Sequence, residues 1–277
     1  MTVASLARWS GAAVSDPDHG HAPQTAPDRT ERSTLAGMAY ERIFLAGASG
    51  AVGRRLIELL LASGHQVTGT TRSPDTGERL REFGVTPAVL DVRDEAAVTS
   101  AVLQAAPDVV IHQLTDLAGS TADNYPTKLL ASTAQLRIEA TPILVRAAMA
   151  AGAKRFIAQS SAMLYAEGPE PHAEGDPLVA GGTSVVLPGI AELERVVTGT
   201  RTIEGILLRY GLLYGPGTPT IGPDGRVNVH IDAAAWAAAL AIDHGLPGIY
   251  NIVDDGPVSN AKARELLGWS PDFRIST

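Results

Sequence analysis

Ile43-Phe44-Leu45-Ala46-Gly47-Ala48-Ser49-Gly50-Ala51-Val52-Gly53-Arg54-Arg55-Leu56-Ile57 decides how this chain folds. The opening apolar run reads as a buried strand, and Val52, Leu56, Leu59 and Leu60 fall on one face of a following helix. Between them, Gly47 allows a sharp turn, Gly50 lets backbone approach a pyrophosphate, and Gly53 lets helix and strand pack closely. The amides of Ala51 and Val52 then face an anion at the helix N-terminus, with Ser49 in the same turn. Strand, glycine turn and helix in this order make a dinucleotide site out of what would otherwise be an ordinary turn.

The same alternation continues downstream. Strands are predicted at Gln66 to Thr71, Pro87 to Leu90, Asp108 to His112, Arg155 to Gln159 and Ile203 to Leu208. Helices are predicted up to about Ser63, then over Glu78 to Phe83, Glu95 to Ala106 and Lys128 to Ala151, the last kinked by Pro142. Repeated βα units imply an α/β fold, a Rossmann-like doubly wound parallel sheet with ligands at the carboxyl ends of its strands. Polar residues collect at those predicted ends: Thr71, Arg72 and Ser73, then Asp91, then His112, Gln113 and Thr115, then Ser160 and Ser161, then Arg209 and Tyr210.

The cofactor follows from the end of the second strand. NAD sites place a carboxylate there for the ribose hydroxyls. Here the residues are Thr70-Thr71-Arg72-Ser73, and an arginine in that place pairs with a 2′-phosphate and stacks on adenine. The expectation is NADP(H), with Asp91 and Val92 at the adenine and Gln113, Leu114 and Tyr210 completing the cofactor set.

Composition excludes several other functions. The 277 residues are 45% hydrophobic and 19% charged, with a formal net charge of -8. Without a basic cluster there is no nucleic-acid groove to predict. Cysteine is absent from the sequence, which removes thiolate chemistry and suits a reducing, cytoplasmic setting. No apolar run approaches the roughly 18 residues of a membrane span. Residues 1–37 hold Pro17, Pro23, Pro27, His19 and His21 among small polar residues and read as an irregular extension, with Met38 an alternative start. Residues 38–277 read as one domain with no metal site.

Several further motifs resemble the extended short-chain dehydrogenase/reductase family, of the NAD-dependent epimerase/dehydratase type. They are Ser160-Ser161-Ala162-Met163-Leu164-Tyr165, Leu208-Arg209-Tyr210-Gly211-Leu212-Leu213-Tyr214-Gly215-Pro216-Gly217, His230-Ile231-Asp232 and Tyr250-Asn251-Ile252. The resemblance covers about Glu41 onward. It implies a small C-terminal substrate lobe from about 167–188, 212–228 and 249–277. It also implies a homodimer through helices near 129–150 and 188–197, and a structural contact at His230 and Asp232.

That family's chemistry uses a Tyr-x-x-x-Lys pair with a Ser or Thr. Ser161 matches the hydroxyl residue, as a polarising group or proton relay. The pair is missing: the only lysines are Lys128, Lys154 and Lys262, preceded four residues earlier by Asn124, Ala150 and Val258. Val186 and Ile190 stand where Tyr and Lys are expected. Glu192 and Glu194, in the same segment, read as a solvated helix face. In this the chain resembles the atypical ketoreductases of aromatic polyketide pathways, including angucyclinone reduction in simocyclinone biosynthesis. The implied reaction is NADPH-dependent reduction of a small-molecule ketone in antibiotic biosynthesis. Thr115, Met163, Tyr165, Val186 and Tyr214 would line the substrate, and the proton would come from the substrate, water or Ser161. Two alternatives stay open: an NADP-binding sensor without catalysis, and a nucleotide-sugar epimerase or dehydratase.

Overall fold

The computed structural model describes residues 41–118, 120, 126–180 and 184–276. The N-terminal extension read over residues 1–37 lies outside them. Seven parallel strands form the main sheet: β1 (Arg42–Ala46), β2 (Gln66–Thr71), β3 (Thr86–Val89), β4 (Val109–His112), β5 (Arg155–Ser161), β6 (Glu204–Tyr210) and, last in the chain, β9 (Gly248–Ile252). Their order is β3-β2-β1-β4-β5-β6-β9. The chain reverses direction of travel between β1 and β4, and a crevice opens there at the carboxyl ends.

Helices cover both faces. The glycine-turn helix α1 (Ala51–Ala62) and α2 (Pro74–Glu82) lie on one face with α6 (Ile231–Leu240) and α7 (Ala261–Leu267), over a core that includes Leu45, Leu56, Ile111, Leu208 and Tyr250. On the other face α3 (Glu95–Ala105), α4 (Thr127–Ala150) and α5 (Leu187–Gly199) bury Phe44, Val110, Leu144, Phe156 and Leu207. Strand residues alternate between the two cores, so β1, β4 and β5 read as continuous apolar runs. α4 keeps Pro142 within its length. A buried Arg55–Asp232 ion pair of 2.7 Å ties α1 to the first turn of α6. This gives the expected contact at Asp232 its partner.

Several boundaries differ from those the sequence predicts. β5 and β6 run further, to Ser161 and Tyr210, because they pair with each other over their full length. Ser160, Ser161, Arg209 and Tyr210 therefore sit within strands. α2 starts at Pro74, since Ser73 caps it by accepting the Thr76 amide at 3.3 Å.

Residues 249–252, read as the opening of the substrate lobe, instead form the seventh strand beside β6. Trp269 from the C-terminal segment returns to the main core, its indole N–H donating to the Ala233 carbonyl at 2.8 Å. What stands apart is smaller. Ala162, Val253 and Val258 pack together with Tyr165 and Val227, beside a two-stranded ladder of β7 (Leu212–Tyr214) and β8 (Asn228–His230). Among the described residues, no helix is long and apolar enough to cross a membrane.

Candidate functional site

The glycine turn has the geometry of an anion cradle. Gly47 adopts φ +93, open to glycine but strained for other residues. A side chain there would strike the backbone of Gln113, at the end of the neighbouring β4, at 2.8 Å. The Gly47 amide is held by the Thr70 hydroxyl at 3.1 Å, and its carbonyl accepts the Gly50 amide at 3.1 Å. A Cβ on Gly53 would lie 2.2 Å from the Gly47 carbonyl oxygen. Gly53 therefore lets the helix pack against the turn itself, more than against the strand. Gly50, at the cap position before α1, offers no side-chain cap, and the first turn of α1 holds no acid. Its positive end is left for an external anion.

Two cavities meet over this turn. The first, about 200 Å³, runs past Gly47, Arg72, Asp91, Val92 and Leu114; the second, about 560 Å³, runs past Ala51, Val52, Arg54, Gln159 and Leu213. Ser49, Gly50, Gln113 and Thr115 border both, so one trough crosses the carboxyl edge of the sheet. Gln113 donates its amide to the Tyr210 hydroxyl at 3.3 Å, while its carbonyl oxygen is buried without a partner. A buried acceptor in the trough wall, an uncapped helix start and a glycine cradle together fit a dinucleotide.

At the outer end, Arg72 is 70% exposed and lies 3.9 Å from Asp116. No carboxylate ends β2, and Arg93 lies nearby, paired with Glu139. Arg72→Ala is expected to weaken NADPH binding about tenfold or more, the scale of a charge-assisted contact to phosphate, and to leave NADH binding unchanged. Titration of protein fluorescence with each nucleotide checks this; equal losses for both would remove Arg72 from the 2′-phosphate.

Several expected site residues lie elsewhere. Ser73 is occupied as the α2 cap. Tyr210 is buried, donates to the Ala234 carbonyl at 3.0 Å, and reaches the trough only through Gln113. Burial raises its pKa and keeps the phenol protonated. Tyr214 is also buried, edge-on to His230 at 5.1 Å. Tyr165 stacks on His172 at 5.2 Å, donates to Asn251 at 2.7 Å and accepts from Arg209 at 2.8 Å. It joins lobe to sheet and borders neither cavity. Met163 is 43% exposed, and its amide donates to the Ser161 hydroxyl oxygen at 3.3 Å. Val186 is half-buried at the start of α5, and Ile190 is fully buried. The two positions aligned with the family's acid and cation thus hold only hydrocarbon.

Beneath Ser161 lies a polar network that no motif announces. Glu194 accepts two hydrogen bonds from Arg209, at 2.8 and 2.7 Å, and a third from Ser160 at 2.6 Å. Arg209 and Glu194 are 4% and 12% exposed. Burial works against the Arg209 charge, but Glu194 outweighs it and holds the guanidinium above its ordinary range. Glu194 is therefore a buried ion-pair partner, not part of a solvated face; Glu192 faces outward to Arg195. Helix phase carries the missing signal, since Glu194 lies four residues after buried Ile190 and three before buried Val197. His112 is fully buried. Its Nδ1 accepts the Leu114 amide at 3.2 Å, so Nε2 carries the proton and donates to Thr141 at 3.2 Å. Burial, then the nearby Arg137, lowers its pKa to about 3, so it is neutral and spent on the β4 turn.

The sequence matches the NAD dependent epimerase/dehydratase family over residues 43–239. The chain belongs to that family. A Streptomyces protein named 3-diazoavenalumate denitrifying reductase is 36% identical over 256 residues, covering 84% of this chain and 80% of its own. The fold is shared with UDP-glucose 4-epimerase of Thermotoga maritima, at TM-score 0.68, 20% identity and coverage of 84% and 94% of the two chains. It is shared too with the Bordetella bronchiseptica enzyme WbmG, solved with NAD and UDP, at TM-score 0.67, 19% identity and coverage of 86% and 91%. The relative with the higher identity is thus named for a diazo compound, not for an angucyclinone.

Proposed function

We propose that this protein is an NADPH-dependent reductase whose acceptor needs no proton from a protein acid. The observation that carries this is hydrocarbon at Val186 and Ile190 beside an intact dinucleotide cradle. When bound, the reduced nicotinamide supplies a hydride. Gly47, Gly50 and the amides of α1 would hold the pyrophosphate, Arg72 the 2′-phosphate, and Gln113 the inner half through its carbonyl oxygen. The protein's part is to place donor and acceptor and to exclude water.

Two acceptors meet the condition. An aryl diazonium takes up hydride at the carbon that loses N2; the products are arene, N2 and oxidised dinucleotide, and no oxyanion is left to protonate. The 36% identical denitrifying reductase favours this acceptor. The second is a phenol-flanked ketone of an aromatic polyketide such as an angucyclinone, whose own phenol supplies the proton. Ser161, at the end of β5 with its hydroxyl oxygen toward the Met163 amide, favours it as a polarising group. The phenol proton would pass to the alkoxide as that charge develops, with the Ser161 hydroxyl only polarising the carbonyl. Exposed Met163, Val179 and Val185, on the segments between β5 and α5, suit a flat aromatic ring in either case.

The test follows NADPH absorbance at 340 nm with aryl diazonium salts and with hydroxylated aromatic ketones, against the uncatalysed background, with N2 measured in the headspace. The diazo reading expects N2 in step with NADPH oxidation, little changed by Ser161→Ala. The ketone reading expects alcohol without N2, slowed by about 10² in Ser161→Ala and not abolished. NADPH binding with no turnover across both panels would overturn the reductase reading in favour of a dinucleotide sensor.

A further inference from the structure

We infer that Arg137 is an anchoring residue for an oxyanion of the substrate, a carboxylate carried on its aromatic frame. The inference rests on the reductase reading for the place of the substrate, and on a separate observation for the charge.

Arg137 stands on the inward stripe of α4, one turn from Thr133 and one from Thr141. Thr133 accepts the Asp116 amide at 2.9 Å, and Thr141 meets His112 at 3.2 Å. Between those two anchor points runs the segment 112–116, whose Gln113 and Thr115 border both halves of the trough. Across from Arg137 is α5. Its Gly189 would clash with Ala134, three residues before Arg137, at 2.5 Å if it bore a side chain. α4 and α5 therefore touch at backbone distance one turn from Arg137.

The side chain is 6% exposed, and it makes no hydrogen bond to any described residue; its Nε is sealed from solvent. The polar groups facing it are already engaged. Glu194 accepts from Arg209 twice and from Ser160 once. His112 is neutral and spent on Leu114 and Thr141. Arg209 takes up the Glu194 carboxylate, so the buried Arg137 guanidinium is left without an ion-pair partner among the described residues. Burial lowers the Arg137 pKa to about 10, with Glu194 opposing the fall, so the group stays charged at neutral pH. An unpaired buried charge is costly, and an arriving anion removes that cost. A planar guanidinium with free donors matches a carboxylate edge-on.

Calorimetric titration of the full chain, loaded with NADP+, tests this with a panel of unreactive aromatic acids (benzoate, 4-hydroxycinnamate and 2-naphthoate) against their methyl esters. At least one acid is expected to bind about tenfold or more tightly than its ester, the scale of a hydrogen bond to a charged group. Arg137→Gln is expected to erase that preference and leave NADPH affinity unchanged. Arg137→Lys, which keeps charge but loses the fork, covers a glutamine variant that fails to fold; it is expected to reduce the preference without erasing it. Equal binding of every acid and its ester by the wild type would overturn the assignment. So would losses of equal size for acid and ester in Arg137→Gln, which mark a purely structural role. Because binding is read without turnover, absent reduction in the 340 nm assay leaves this result standing on its own.

Discussion

Glu194→Ala is expected to lower the unfolding free energy by about 3–5 kcal/mol, the cost of leaving a buried charge without its partner. Arg209 is 4% exposed and directs three guanidinium nitrogens into fixed partners: two to Glu194, the third to Tyr165 and the Glu174 carbonyl. Removing the carboxylate strands the cation and also the Ser160 hydroxyl, which donates to the same oxygen at 2.6 Å. Glu194→Gln keeps one acceptor and is expected to lose less. Glu192→Ala, two residues away on the exposed side of α5, is expected to leave the denaturation midpoint unmoved, since the Glu192–Arg195 pair is solvated. Urea unfolding of the three variants decides it. A midpoint for Glu194→Ala equal to that of Glu192→Ala would mean the network adds nothing to stability.

The second large effect concerns the cradle. Gly53→Ala is expected to weaken dinucleotide binding on the order of 100-fold, about 2.7 kcal/mol. The added Cβ would sit 2.2 Å from the Gly47 carbonyl oxygen and 2.8 Å from that of Ala48. Both are backbone atoms, so no side chain can swing aside and the turn itself must move. Gly47 is held on its other side by Thr70 and abuts Gln113, so a shift disturbs both the pyrophosphate amides and the trough wall. Overpacking of this kind also costs about 1–3 kcal/mol in stability. Gly199→Ala is the control, because a Cβ there meets nothing within 4 Å. NADPH titration with circular dichroism on the same samples separates lost binding from lost fold. Wild-type affinity in folded Gly53→Ala would remove the cradle from the binding site.

Much of the framework was legible in the chain. Apolar runs such as Val109 to Ile111 are buried on both faces, as a central strand of a parallel sheet requires. Gly47, Gly50 and Gly53 announce their turn because backbone conformation and close approach are local demands. The end of β2 shows Arg72 in place of an acid by position alone. The resemblance to a family extended this to Ser161 and to the empty Tyr-Lys positions.

Other features had no local signature. Residues 249–252 are few and Asn251 interrupts their apolar run, and only pairing with β6 makes them a sheet strand. Tyr165, Tyr210 and Tyr214 follow strands that lead to the cleft, but whether a ring enters it or packs away depends on neighbours far off in sequence: Asn251, Ala234 and His230.

By itself, then, the sequence determined the doubly wound sheet, the glycine turn at its centre and the absence of the Tyr-Lys pair. Each of these is written in residue type and short-range spacing. Only the tertiary structure decided which charges are buried. Glu194 and Glu192 are two residues apart on one helix, yet one is enclosed by Arg209 and Ser160 and the other meets water. Desolvation depends on what other elements bring to the spot, and β5, β6, α4 and α5 converge there from separate parts of the chain.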